Sequence, residues 1–100
     1  MALIRTTRFT TDPADVGTVL ERRKKLLEAV RAAFGGPTET RLIRVDEETW
    51  VDMWRWDSPE TLRVALEGAP RLPEAAPAFA VVRDVTAEQG DVVDEDAWAR

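Results

Sequence analysis

Apolar and polar residues alternate along some stretches of this chain and recur every third or fourth position along others. Residues 3–9, LIRTTRF, favour a strand, with Leu3, Arg5, Thr7 and Phe9 sharing one face. Val16, Val19, Leu20, Leu26, Leu27, Val30, Ala33 and Phe34 then fall on one helical stripe and predict a helix over residues 13–34. Asp12 suits its N-cap, Pro13 its first position and Asp15 the favourable field of its first turn. Gly35-Gly36-Pro37 ends it, with glycine available for a left-handed cap. Residues 38–45 read as a strand, Asp46-Glu47-Glu48 as a polar turn, and residues 49–56 as the returning arm of a hairpin. Asp57-Ser58-Pro59-Glu60 opens a second helix, whose stripe of Leu62, Ala65, Leu66 and Ala69 is broken by Gly68 and Pro70.

Residues 72–85 carry two conflicting signals. FAVVRDV has strand propensity, but Leu72, Ala75, Ala76, Phe79 and Val82 keep helical spacing. The spacing predicts a short helix to about residue 84, with a last strand near 88–94. The order strand, long helix, strand, strand, helix, strand is the split βαββαβ pattern of an α+β ferredoxin-like fold. It implies a four-stranded antiparallel sheet in the order 4-1-3-2, with both helices on one face and the other face open. A single domain spans residues 3–94, and residues 95–100 form an acidic tail holding the lone Trp98.

The hairpin arm TWVDMWRW is the densest signal. Trp50, Asp52, Trp54 and Trp56 share one face, and Val51, Met53 and Arg55 the other. Both faces are bulky. One can pack on the chain's own helices; the other needs a partner or a ligand. The expectation adopted is that the indole face is the open one and is hidden when two copies press their sheets together.

Composition narrows the chemistry. With 44% hydrophobic and 33% charged residues, the 100-residue chain reads as one globular domain. The net charge of −5 argues against nucleic acid and against anionic lipid surfaces. Cys, His, Asn and Tyr are absent, which removes thiolate chemistry, the commonest metal ligand and the usual acid/base near neutral pH. No metal and no cofactor is expected. No segment has the length of a signal peptide or membrane span, so the expected location is cytoplasmic.

Within those limits, Trp50 and Trp54 are candidate walls for a planar aromatic ligand, or else fill a core or interface. Trp56, beside the helix cap, is the structural one. Asp52 between two indoles is a candidate general base if desolvated, or the partner of Arg5 in an ion pair, since the first and third strands should be neighbours. Arg41 and Arg44 lie on opposite faces of the second strand; Arg41 is a candidate anchor for a phenolate, enolate or carboxylate, or a member of a surface ion pair. Residues 21–25, ERRKK, form the solvated side of the long helix. Arg23 interrupts its apolar stripe, and its stem is expected to lie over the core edge. Phe79 and Val82 line the helix-side core or one wall of a cavity.

The capped helix after Asp12-Pro13 and the hairpin closing on Trp56-Asp57-Ser58-Pro59-Glu60 resemble the antibiotic biosynthesis monooxygenase family, whose usual mark is a Trp-x-Ser-x-Glu element at the end of the third strand. The resemblance covers nearly the whole chain. It implies a homodimeric α+β barrel formed through the open sheet face. It also implies a cavity between each sheet and its helices, or within the barrel, and in some members oxidation of quinols or aromatic polyketides by molecular oxygen without metal or flavin. The haem-degrading branch needs a histidine and an asparagine that this chain lacks. The function so implied is a cofactor-independent monooxygenase acting on an aromatic polyketide or quinol. Asp52 would take a phenolic proton, Arg41 or Arg5 would stabilise the anion, and Trp50, Trp54 and Phe79 would hold the rings. The alternatives are a non-catalytic small-molecule-binding or accessory barrel, and a polyketide cyclase or isomerase.

Overall fold

A computed structural model describes residues 1–96; Trp98 lies outside the described residues. The elements run β1 (Leu3–Thr10), α1 (Val16–Phe34), β2 (Glu39–Arg44), β3 (Thr49–Trp56), α2 (Pro59–Gly68), α3 (Ala75–Ala80) and β4 (Arg83–Asp91). The four strands form one sheet in the order β2-β3-β1-β4, antiparallel throughout. This is the ferredoxin-like split βαββαβ arrangement, with α3 added ahead of the last strand. Among the described residues, no helix is long and apolar enough to cross a membrane.

Local chemistry sets the helix ends. The Asp12 side chain accepts from the Ala14 amide at 3.0 Å and starts a short 3-10 turn, Pro13–Asp15, that leads into α1. Gly35 closes α1 at φ 77°, and its amide donates to the Arg31 carbonyl. Ser58 caps α2 by accepting from the Thr61 amide at 3.2 Å.

Two stretches depart from the sequence reading. The helix expected to run to about residue 84 stops at Ala80, and β4 begins at Arg83, so the VVRDV segment follows its strand propensity. All of β4 is exposed at the sheet edge, which explains why no alternation of apolar and polar residues marked it. Secondly, the indole face is not the open face. Leu3 pairs with Trp56, Arg5 with Trp54, Thr7 with Asp52 and Phe9 with Trp50, and all eight face the helices. Trp50 and Trp56 are 8% and 3% exposed within one copy of the chain. Their burial therefore requires no second copy.

The core has two centres on that covered side. Leu3, Val30, Trp56, Leu62 and Ala65 form one; Phe9, Val19 and Trp50 form the other. Gly68 of α2 lies against the Phe34 ring at the end of α1, and a Cβ added there would force that ring to shift.

Candidate active site

Between the two core centres the helices stand off from the sheet and leave a cavity of about 180 Å³. Its floor is Arg5, Thr7, Asp52 and Trp54 of the sheet. One wall is α1, through Val19, Arg23, Leu26 and Val30; the opposite wall is α2, through Leu62, Ala65 and Leu66. Ala78 and Phe79 of α3 close the remaining side. Phe79 is 53% exposed and Leu66 40%, so these two stand at the mouth. Among the described residues, the lining apart from Arg5, Thr7, Arg23 and Asp52 is aliphatic or aromatic. A dry apolar cavity of roughly 150 Å³ is enough to admit a benzene ring. This space is of the size for one or two fused rings.

The position of α3 defines the mouth, and three bonds fix it. The Thr11 hydroxyl, fully buried, donates to the Val81 carbonyl at 2.8 Å. The Arg22 guanidinium of α1 donates to the Pro77 carbonyl at 3.0 Å. The Ala75 amide donates to the Leu72 carbonyl at 3.1 Å.

Asp52 and Arg23 form the polar centre. The Arg23 Nε donates to Asp52 Oδ2 and its Nη2 to Oδ1, both at 2.8 Å. Their side chains are only 20% and 11% exposed. A fork of this geometry fixes both groups and leaves no buried charge uncompensated. The expected partner of Asp52 was Arg5, and the structure corrects this. Arg5 lies opposite Trp54 rather than Asp52, and its Nη1 donates to Gln89 Oε1 of β4 at 3.0 Å. The residue missed was Arg23. Its signal was present, because positions 19, 23, 26 and 30 are consecutive inward positions of one helix face, and an arginine among Val, Leu and Val there needs an internal partner.

The other expected residues divide between the two sides of the sheet. Trp54 lines the cavity and meets Trp56 at 6.4 Å between ring centroids, tilted by 34°. Trp56 is both core and cavity wall. Phe79 and Val82, read from sequence as helix-side core or as one wall of a cavity, both line the cavity. Trp50 does not: it packs with Phe9 and Val19, under the Arg44 guanidinium at 5.0 Å from its ring centre. Arg41 is on the open face with Ile4, Met53 and Arg55, across the sheet from Asp52, so the two cannot act on one substrate group within a chain.

The open face also carries an ion cluster. Arg55 donates to both carboxylate oxygens of Glu95 at 2.8 Å and to Asp57 at 2.8 Å. Glu95 and then Asp57 push the Arg55 guanidinium up, and Arg55 holds the Glu95 carboxyl below the ordinary carboxylate range. With the Val92 amide bonded to the Ala2 carbonyl, residues 92–95 run from the β4 edge to β3. The start of the acidic tail is thus tied down at Glu95. Among the described residues, no group of three or more carboxylates stands close enough to hold a metal ion.

No protein-family profile and no curated protein matches the sequence. Solved structures do match its fold. SnoaB, a cofactor-independent oxygenase from Streptomyces nogalater, superposes with a TM-score of 0.64 at 23% identity over 99% of this chain and 98% of its own. A structure described as an antibiotic biosynthesis monooxygenase gives 0.69 at 18% identity, over 92% of this chain and 99% of that one. A dimeric ferredoxin-like protein from an uncultured marine organism gives 0.73 at 16% identity, over 98% and 93%. At these identities the likeness is one of fold.

Proposed function

We propose that this chain is a cofactor-independent monooxygenase of the antibiotic biosynthesis monooxygenase type, acting on a small quinol or phenolic aromatic bound between the sheet and its own helices. The observation that carries this reading is the Asp52–Arg23 pair set in an otherwise apolar cavity walled by Trp54 and Phe79. Trp54 offers its face to a planar ring. Arg23 and Arg5 stabilise the phenolate formed when the ring loses its proton, and Asp52 keeps Arg23 in place while its remaining lone pairs receive that proton, directly or through water. The electron-rich anion then reacts with oxygen itself. The role given to Arg41 from sequence passes to Arg23, because Arg41 is on the other side of the sheet.

The fold shared with SnoaB and with a structure described as an antibiotic biosynthesis monooxygenase supports this reading. The dimeric ferredoxin-like neighbour supports a further part of it: two copies close their open faces, which carry Ile4, Ile43, Val51 and Met53, into a barrel. The cavities then lie outside the barrel, one under each set of helices.

Oxygen uptake with naphthalene-1,4-diol tests the activity. One equivalent of oxygen should convert the diol to 2-hydroxy-1,4-naphthoquinone and water, the substrate supplying all the electrons. Asp52→Asn and Arg23→Met should each lower the rate by about 10²-fold or more, as expected for loss of an acid/base group or its orienting partner. Uptake no faster than the uncatalysed blank would overturn the enzymatic reading. A second reading, a non-catalytic binding barrel, is favoured by one specific feature: both Asp52 oxygens are already engaged by Arg23.

A further inference from the structure

Among the described residues, three ionisable side chains line the cavity: Arg5, Arg23 and Asp52. Arg23 and Asp52 neutralise each other through two bonds. Arg5 has no carboxylate partner among the described residues; its one described partner is the neutral Gln89 amide. The cavity therefore carries one surplus positive charge in a protein whose net charge is −5. A guanidinium has five N–H donors, and the Gln89 bond takes one of Arg5's.

The register adds a direction. Arg5 and Trp54 are directly opposed on β1 and β3, and directly opposed side chains leave the sheet roughly 5 Å apart. Gln89 is opposite Arg5 on its other side. Arg5 therefore stands between Trp54 and Gln89 on the cavity side of the sheet, with its guanidinium held toward the exposed β4 edge by the Gln89 bond and its other donors left for a ligand lying across Trp54. Planar fork geometry suits a carboxylate or a comparable delocalised anion. The adjoining lining, from Leu26, Val30, Ala65 and Leu66, offers contact only to hydrocarbon.

From these features we infer that the cavity is selective for aromatic anions of one or two fused rings, with the anionic group seated on Arg5 and the ring on Trp54. Arg5 is the specificity-determining residue and Gln89 its positioning residue. The inference rests on the proposed function only for the location of the site. It names the class of ligand by charge and size, independently of whether oxygen is consumed.

Isothermal titration calorimetry with three probes tests it. 2-Naphthoate should bind at least 10-fold more tightly than 2-naphthylmethanol, its neutral counterpart, and acetate should not bind detectably. Arg5→Met should remove most of that 10-fold preference while leaving 2-naphthylmethanol within about 2-fold of its original affinity. Arg5→Lys should restore part of the preference, and Gln89→Leu should reduce it by a smaller factor. Thermal unfolding of each variant separates loss of the seat from loss of the fold, and Arg5→Lys keeps the charge if Arg5→Met fails to fold. Equal affinity for the acid and the alcohol, or an equal loss of both on Arg5→Met, would overturn the inference. If naphthoate is preferred but no diol oxidation occurs, the anion seat stands and the monooxygenase reading falls. If the diol is oxidised with no preference for naphthoate, the reverse holds.

Discussion

Arg23 and Asp52 sit where apolar residues would pack more simply, and that choice has a cost. Taking two charges out of water is expensive, and a bidentate pair roughly offsets the expense rather than adding stability. At side-chain exposures of 20% and 11%, losing one partner strands the other in poorly solvated surroundings. Arg23→Met should destabilise the fold by about 2–4 kcal/mol in urea denaturation. The double change Arg23→Met with Asp52→Leu should recover most of that loss, because neither charge is then left alone. Additive losses in the double variant would mean that the two side chains do not depend on each other. The sequence pointed to this pair only halfway. An aspartate between indoles and an arginine in an apolar helix stripe were each visible, but their meeting depends on how α1 crosses β3, which no local pattern encodes.

The elements were more legible than their relations. Caps, the Gly-Gly-Pro stop and the alternation of TWVDMWRW identified α1, α2 and the β2–β3 hairpin from the chain alone. Alternation tells which residues share a face of a strand; it does not tell which face the helices cover. The pattern of the strand alone thus allows the indoles to lie on the open side, where the sequence reading places them. At β4 the difficulty was different: an edge strand exposed on both faces has no alternation to read, so the helical spacing of Leu72 to Val82 prevailed. Glycine placement carried information that pattern reading passed over. Gly68 reads as a helix breaker, yet it lies inside α2 at its last residue, and its function is to let the Phe34 ring approach. Gly68→Ala should therefore destabilise by about 1–3 kcal/mol, as overpacking does, instead of gaining the stability that alanine usually brings to a helix. A raised melting temperature for that variant would show that α1 and α2 do not meet so closely.

At the scale of the whole molecule, one face of the sheet is occupied by the chain's own helices and holds the cavity, while the other presents Ile4, Ile43, Val51 and Met53 between charged residues. Ile43 is 44% exposed in the single chain. Sedimentation equilibrium should give twice the 11.2 kDa chain mass, and Met53→Glu should return the protein to that single mass with its fold intact. A monomeric wild-type protein would remove the barrel. It would leave in place the cavity that the described residues of a single chain enclose between sheet and helices. The central claim is that an aromatic ligand enters between sheet and helices. It is tested most directly by following the indole and backbone N–H resonances while 2-naphthoate is titrated into the protein. The account predicts that the signals of Trp54 and Trp56 move with a common saturation curve while that of Trp50, packed away from the cavity, stays in place. Saturable shifts confined to the open face, at Val51 and Met53, with Trp54 and Trp56 unmoved, would contradict it.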